Sequence, residues 1–461
     1  MPFNVYHFIC FPSSFVLNAM AQSLLKCFSP CSQSLKRKFK AKRCFLKNSM
    51  NMDSVNFIQR KFCDYYTRNY VPKSSISKME QREFGFAMFE GWMQRHKSIK
   101  QIDELKEFLQ SSVPSDAYYS SAYYESPEAE MDRKEWIGAD LIFDIDADHI
   151  PTSCDKIHDE WVCGGCGFFG RGVTPEKCPM CDSEKFNVNT WPCENCLASA
   201  KDETLKLLDM LTQDFGFSEN EIHVFYSGHR GYHVSVEREA VKTLDSAARK
   251  EIVDYLSSLG LDVSSYSLKK KRKEAISFLG ALENDLGWFK RLNQGIRDFI
   301  VNAKDEDFRN IELKKNAINA LLRNRVSISK SLQGTGKQFP FVKGVGPDSL
   351  RKIAEHVIKL QSAKIDTVVT IDIHRLIRLA DTLHGKTGFL KVEFPVSTIH
   401  DFDPFKDAIA FKEGTATVNV SDAPEFRLGD EMFGPYRNQE VELPTAAAVL
   451  LICRNRAQVV N

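Results

Sequence analysis

The stretch "DLIFDIDADHI", Asp140–Ile150, combines the pattern of a buried strand with a row of carboxylates. Side chains of an extended strand alternate between its two faces. Leu141, Phe143 and Ile145 therefore point toward a core, and the other face carries Asp140, Asp144, Asp146 and Asp148. Like charges on one face repel each other and lose solvation when they are covered. Such a row is expected at a solvated edge or where cations neutralise it.

The rest of the chain alternates between strand and helix patterns. Helical periodicity predicts a helix at Glu203–Asp214, and residues 240–330 read as mostly helical and charged. Short apolar runs bounded by turn residues predict further strands at Ile222–Tyr226, Tyr232–Val236, Thr367–Ile373 and Phe389–Phe394. This order of elements predicts an α/β (α+β) fold in which sheets are flanked by helices.

Length and charge set broad limits on the function. The chain has 461 residues, of which 43% are hydrophobic, so it can form more than one domain with a sizeable core. Its formal net charge is +1, so any site for a polyanion must be a local patch. No segment reads as a membrane span.

The first 52 residues differ in composition from the remainder. They contain no Asp or Glu and carry a basic cluster between Lys36 and Arg43. Such a leader can be an organelle transit peptide. We favour the alternative that residues 1–52 are disordered or spurious and that translation starts at Met50 or Met52.

The cysteine spacing indicates metal sites. Seven of the 13 cysteines lie between Cys154 and Cys196, as three Cys-x-x-Cys pairs and one single residue, which is ligand spacing rather than a disulfide framework. Two pairs form a candidate four-thiolate zinc ribbon of Cys163, Cys166, Cys178 and Cys181. If the ribbon is an insertion, its flanks form a second set of Cys154, His158, Cys193 and Cys196. The alternative is that Cys154 is a lone buried thiol and His158 a surface histidine.

Two further segments are rich in groups that bind phosphate. "YSGHRGYHVSV", Tyr226–Val236, offers backbone amides, a hydroxyl and cationic donors, although a plain hairpin turn fits it equally well. "TIDIHRLIRLADTLHGKTGFL", Thr370–Leu390, places an aspartate at the end of a predicted strand and cationic residues after it. Its Gly-Lys-Thr is not a P-loop, because the required upstream glycine position holds Ala380.

These motifs, in this order, resemble the catalytic small subunit of archaeal and eukaryotic replicative DNA primase, and the archaeal form is the more similar. The resemblance rests on "FDIDADH", "SGHRGYH", "DIHRLIRL" with "LHGKTG", and "REFGF" at Arg82–Phe86 followed by Arg95. It covers roughly Ser54–Ala457. It implies a primase core of mixed sheets, with a zinc-binding insertion and a helical insertion.

The resemblance also implies roles for individual residues. Asp144, Asp146 and Asp372 match the family's catalytic, metal-binding carboxylates. Its contacts to the nucleoside triphosphate match Ser227, Arg230, His233, Arg378 and His384, with His229 standing where some members have arginine. Glu83 and Arg95 match residues that line the same pocket. The set Cys154, His158, Cys193 and Cys196 resembles the family's zinc knob, whereas the Cys163–Cys181 ribbon is an addition without an assigned role.

Taken together, the sequence predicts a cytoplasmic DNA primase, a nucleotidyltransferase that uses two Mg²⁺ or Mn²⁺ ions and carries two structural zinc ions. Its implied partners are single-stranded DNA template, nucleoside triphosphates and a large subunit with an iron–sulfur cluster. The predicted domains are a catalytic core at 53–245 and 362–461, a zinc-binding insertion at 154–196 and a helical subdomain at 246–361. The alternatives are a repair or translesion primase-polymerase and a non-catalytic zinc-dependent nucleic-acid-binding subunit.

Overall fold

The computed structural model describes residues 50–261, 287–333 and 339–460. The predicted leader, apart from its last three residues, lies outside the described residues. Within them the chain forms two compact units. The small unit is residues 159–189, and the large unit contains residues 50–158 together with the described residues from 190 onward.

The large unit contains all the described α-helices. They are α1 Met52–Asp64, α2 Ile102–Ser112, α3 Glu194–Gln213, α4 Glu239–Lys242, α5 Ser246–Leu256, α6 Gly287–Asn302, α7 Asp305–Asn310, α8 Lys315–Gln333, α9 Pro347–Gln361, α10 Thr367–Ile371, α11 Pro404–Asp407 and α12 Thr445–Cys453. Between Ser246 and Gln361 the described elements are all helices. No helix of the described chain is both long enough and apolar enough to cross a membrane.

Two four-stranded sheets of the large unit bear on function. One has the order β12–β3–β1–β2, from strands β1 Glu83–Ala87, β2 Met93–Ser98, β3 Asp116–Ser120 and β12 Leu376–Arg378. The other has the order β13–β10–β11–β6, from strands β6 Leu141–Asp146, β10 Ile222–Tyr226, β11 Gly231–Val236 and β13 Val392–Phe394.

The remaining strands form smaller sheets. In the large unit these are β4 Ala122–Tyr124 with β5 Trp136–Ala139, β15 Phe426–Leu428 with β16 Glu431–Phe433, and the sheet β17–β14–β18 built from β14 Thr415–Ala423, β17 Tyr436–Pro444 and β18 Ala457–Val459. The small unit has the sheet β8–β7–β9, built from β7 Glu160–Cys163, β8 Phe169–Arg171 and β9 Phe186–Asn189. Every pairing among these strands is antiparallel, so the α+β description is the one that applies.

The carboxylate-bearing strand forms where the sequence predicts it. Leu141, Phe143 and Ile145 are fully buried in the main hydrophobic core, which anchors one face of β6. On the other face Ile142 packs against Val369 of α10. Burying one face of a strand fixes its register, because a shift by one residue would move the apolar set to the other face. Asp144 and Asp146 are therefore held on the face opposite the core.

The predicted strand at Thr367–Ile373 is wrong. These residues form the short helix α10, and Asp372 follows that helix rather than a strand. Asp366 begins the helix, because its carboxylate accepts a hydrogen bond from the amide of Val368 at 3.0 Å. The β-branched run favours a strand locally, but this N-terminal cap and packing against β6 decide the conformation.

Two boundaries also differ from the sequence prediction. Helix α3 begins at Glu194, nine residues before the predicted Glu203, and its first turns bury Cys196, Leu197 and Ala200. The sequence before Glu194 lacks the Ser, Thr, Asp or Asn that usually marks a helix start, since the capping residue is Cys193. The predicted strand at Phe389–Phe394 is regular only over Val392–Phe394, with an isolated bridge at Phe389.

Asp140 is neither solvated nor part of the carboxylate row. It is 1% exposed and accepts hydrogen bonds from the Arg82 guanidinium at 2.6 Å and from the Tyr123 hydroxyl at 2.7 Å. Arg82 is itself fully buried and also donates to the backbone carbonyl of Ser120. The first acid of the motif is thus a structural ion-pair partner that ties the start of β6 to β1.

Candidate active site

A cavity of about 200 Å³ lies between the two four-stranded sheets. One sheet contributes residues of β6, β11 and the turn before β11, and the other contributes Tyr118 of β3 and the strand β12. The lining residues are Tyr118, Ile142, Asp144, Asp146, Ser227, His229, Gly231, His233, Val369, Arg375, Leu376, Ile377, Arg378 and His384. Seven of the residues that the sequence singled out are therefore brought together here.

The register of β6 and β11 places the carboxylates beside the hairpin whose groups could bind phosphate. In the antiparallel pair β6–β11, Asp144 faces His233 and Asp146 faces Gly231. The Nε2 atom of His233 lies 3.4 Å from an Asp144 carboxylate oxygen. Gly231 permits this approach, since a Cβ there would come within 2.2 Å of the Ile145 carbonyl oxygen.

The electrostatic surroundings of Asp144 favour a bound cation. Burial, together with the charges of Asp146 and Asp366, raises its pKa to about 7. Burial, together with the charges of nearby cations, lowers the pKa of His233 well below its usual range. His233 is therefore neutral, and its contact with Asp144 is not an ion pair.

Two aspartates compete for the role of a third carboxylate. Asp372 lies outside the set of cavity-lining residues, and its carboxylate accepts a hydrogen bond from the amide of His374 at 3.0 Å. Asp366 also lies outside that set, but its amide donates to the carbonyl oxygen of Asp144 at 2.8 Å and its charge acts on the Asp144 carboxylate. The sequence analysis missed Asp366, although it begins the same segment six residues earlier.

The turn between β10 and β11 is held rigid by its own hydrogen bonds. The hydroxyl oxygen of Ser227 accepts from the amides of His229 at 3.3 Å and Gly231 at 3.2 Å. The hydroxyl of Tyr226 donates to the carbonyl of His229 at 2.8 Å. The segment is a hairpin turn, and the same turn places Ser227 and His229 on the cavity wall.

Two histidines form the far wall of the cavity. The rings of His229 and His384 stack with their centroids 5.1 Å apart. Burial, together with the charges of nearby cations, lowers the pKa of both well below the usual range, and His384 adds to this effect at His229. Both rings are therefore neutral. Their nitrogens can donate or accept single hydrogen bonds without adding charge.

Arg378 lines the cavity but already has a partner. It is an ion-pair and hydrogen-bond partner of the half-buried Asp116, and it also donates to the hydroxyl of Tyr118 at 3.3 Å. Behind it, the ammonium group of Lys391 donates to the Arg378 carbonyl at 2.7 Å and lies 4.2 Å from the centre of the Phe225 ring. Burial lowers the pKa of Lys391 to about 7.

Besides Asp372, three predicted site residues lie outside the cavity lining: Glu83, Arg95 and Arg230. Glu83 is fully buried and accepts from the Arg95 guanidinium at 3.0 Å and from the amide of His96 at 3.1 Å. Arg230 is fully buried and pairs with the exposed Asp148 that follows β6. These residues are positioned by ion pairs, and the structure does not bring them to the cavity surface.

The cysteine sets assemble as the spacing predicts. In the small unit Cys163, Cys166, Cys178 and Cys181 place their sulfur atoms within 4.8 Å of one another, and in the large unit Cys154, His158, Cys193 and Cys196 do the same with their ligand atoms. Every described cysteine is a free thiol. Thiolate and imidazole ligands in sets of four suit tetrahedral zinc, so each cluster could hold one structural zinc ion.

Comparison with known proteins agrees with this geometry. Residues 187–396 match the sequence profile of a family described as DNA primase small subunit. The DNA primase small subunits PriS of Nitrosopumilus maritimus and Methanothrix thermoacetophila are both 31% identical to the chain, over 410 and 429 residues, covering 89% of it and 100% of each relative. PriS of Methanococcoides burtonii is 32% identical over 432 residues, covering 89% of the chain and 99% of the relative.

These matches, which span most of the chain, class the protein as a primase. It belongs to the DNA primase small-subunit family, of the archaeal type that the sequence motifs resemble.

Proposed function

We propose that this chain is a catalytic primase subunit that synthesises short primers from nucleoside triphosphates on single-stranded DNA template during replication. The reaction is a nucleotidyl transfer assisted by two divalent cations. One observation carries the proposal: in a member of the primase small-subunit family, Asp144 and Asp146 line the same cavity as the β10–β11 turn, which offers groups that bind phosphate.

The residues present fit Mg²⁺ or Mn²⁺. Carboxylate oxygens are the ligands that these cations prefer, and two carboxylates on one strand face repel each other until a cation joins them. Asp144 and Asp146 would hold the ions. When bound, the ions would activate the attacking 3′-hydroxyl and stabilise charge on the phosphate oxygens. The chain itself orients the carboxylates through the β6–β11 register.

Other polar residues of the cavity lining would bind the triphosphate. Ser227, His229 and His384 offer a hydroxyl, backbone amides and neutral imidazole groups, and His233 has a buried Nδ1 atom without a hydrogen-bond partner in the described chain. An unpartnered buried nitrogen is costly unless a ligand satisfies it. Arg378 remains a predicted nucleotide contact. Arg230, Glu83 and Arg95 would act from behind the cavity surface by supporting the strands that line it.

For the third carboxylate we propose Asp366 as a rival to the predicted Asp372. The backbone amide of Asp366 donates to the carbonyl oxygen of Asp144, and the Asp366 charge raises the pKa of the Asp144 carboxyl. A matched pair of variants, Asp366→Asn and Asp372→Asn, separates the two. The metal ligand should lose primer synthesis by at least about a hundredfold, because removal of a metal carboxylate weakens stabilisation worth several kcal/mol. The other variant should retain most of its activity.

The proposed partners follow from membership of the family. A small subunit implies a large subunit, and we propose that the two form a heterodimer. The two zinc clusters would be structural, since each offers four protein ligands and leaves no open coordination position.

Primer formation on unprimed single-stranded DNA tests the proposal. The purified chain, alone and with a large subunit, should incorporate labelled nucleotide into short products when Mg²⁺ or Mn²⁺ is supplied. A chelator should abolish those products. Absence of template-dependent products under all metal conditions would contradict the proposal.

A further inference from the structure

One cation on the cavity wall, Arg375, has a guanidinium without a hydrogen-bond or ion-pair partner in the described chain. Arg375 lies in the segment between α10 and β12, and its side chain lines the cavity. Only its backbone carbonyl is bonded, to the amide of Ser121 at 2.7 Å. Within the described ranges its guanidinium makes neither a hydrogen bond nor an ion pair.

The neighbouring cations differ from Arg375 in this respect. The charge of Arg378 is neutralised by Asp116, and Lys391 is fully buried behind the wall on the Arg378 carbonyl. Among the cavity-lining residues of the described chain, Arg375 is thus the cation that is available to a ligand without breaking an existing ion pair.

The surroundings of Arg375 fit an anion. The Arg375 charge stabilises the ionised form of Asp144 and disfavours protonation of His233, so its side chain acts on both residues that face each other across β6 and β11. Once a divalent cation offsets the carboxylates, the free guanidinium leaves this part of the cavity positive. A guanidinium presents a planar fork of donors that matches phosphate oxygens in pairs.

We propose that Arg375 binds the triphosphate of the nucleotide that occupies this cavity. This inference rests on the proposed function, because that function supplies the ligand. The cavity is bounded by two sheets and measures about 200 Å³, so it admits a compact polyphosphate more readily than a continuous nucleic-acid strand.

The rival explanation is that Arg375 serves only as a counter-ion for the acidic residues. The two roles differ in what the substitution Arg375→Ala changes. A nucleotide-binding role predicts weaker binding that depends on the number of phosphates. A counter-ion role predicts tighter binding of Mn²⁺ in the absence of nucleotide, with unchanged nucleotide affinity once metal is saturating.

The test measures dissociation constants of ATP, ADP and AMP at saturating Mg²⁺ by calorimetry with the full chain. Arg375→Ala should weaken ATP binding about 10- to 100-fold, the range of a lost charged hydrogen bond, and affect AMP much less. Arg375→Lys should fall between, since it retains charge but loses the fork. The exposed Arg437 provides the control, and Arg437→Ala should match the wild type.

Stability gives an independent readout. Because the Arg375 guanidinium has no bond to lose within the described chain, the unfolding temperature of Arg375→Ala should lie within a degree or two of that of the wild type. Unchanged ATP affinity in Arg375→Ala, or equal losses for ATP and AMP, would overturn the inference. If Arg375→Ala failed to fold, Arg375→Lys would decide the matter by the same comparison. A wild type that binds ATP but makes no primers would instead contradict the proposed function.

Discussion

Replacing two aspartates of the Asp140–Ile150 stretch by asparagine should change stability in opposite directions. Asp144→Asn removes a carboxylate that is repelled by Asp146 and Asp366 in the metal-free protein. Asp140→Asn instead leaves the buried Arg82 without its ionic partner. We therefore expect the first variant to be more stable than the wild type in chelator and the second to be less stable.

The size of each stability change can be estimated from the surroundings of the aspartate that is replaced. The pKa of Asp144 lies at about 7 against its usual 3.8, and at about 1.4 kcal/mol per pKa unit this corresponds to a ceiling of about 4 kcal/mol above pH 7. Because 28% of the Asp144 side chain is exposed, solvent screening reduces the expected gain to about 1–2 kcal/mol. Removing one partner of a buried ion pair costs about 3–5 kcal/mol, which is the loss we expect for Asp140→Asn.

The pH dependence has a defined sign. A raised carboxyl pKa means that the native state binds the proton more tightly than the unfolded chain. The penalty from Asp144 is therefore complete above about pH 7 and disappears as the pH falls to the usual carboxyl pKa. Denaturant unfolding in chelator at pH 8 and pH 5 measures this. A destabilised Asp144→Asn at pH 8, or a gain that is larger at pH 5, would refute the reasoning.

Three further perturbations test other parts of the structure. Arg378→Ala should lower the free energy of unfolding by about 3 kcal/mol, because it leaves the half-buried Asp116 carboxylate without its ionic partner. Denaturant unfolding that matches the wild type would contradict the ion pair. Replacing two cysteines of the Cys163–Cys181 ribbon by serine should remove one of two zinc ions. Replacing Cys193 should also lower stability or solubility, because the zinc set that contains Cys193 belongs to the large unit. Elemental analysis that finds one zinc in the wild type would contradict two sites. Mn²⁺ binding without nucleotide should weaken about tenfold for each pH unit below 7, because Asp144 must release its proton, and a pH-independent dissociation constant from paramagnetic resonance would contradict the raised pKa.

Much of the fold could be predicted because it rests on local signals. Alternation of side chains sets β6 and its carboxylate face, and a glycine-bounded turn sets β10 and β11. Spacing groups the four ribbon cysteines, because short Cys-x-x-Cys turns fix their own geometry, whereas the set with Cys154 and His158 also depends on the ribbon being an insertion. The family resemblance, carried by short ordered motifs, is confirmed by relatives that cover most of the chain.

The remaining features depend on tertiary contacts. No local pattern shows that Asp140 meets Arg82, which lies 58 residues earlier, just before β1. The run at Thr367–Ile371 reads as a strand by composition, yet its cap by Asp366 and its packing make it a helix. The strand prediction placed the candidate carboxylate at the end of the run, at Asp372, and did not single out Asp366 at its start.

The central claim is that Asp144 and Asp146 hold the cations with which this primase joins nucleotides. The most direct test is primer synthesis by Asp146→Asn, compared with the wild type at equal concentrations of folded protein and over a range of Mn²⁺. The account predicts a loss of at least about a thousandfold in primer formation, with zinc content unchanged and a stability no lower than that of the wild type, because the substitution also relieves the repulsion with Asp144. Primer synthesis within tenfold of the wild type would contradict it.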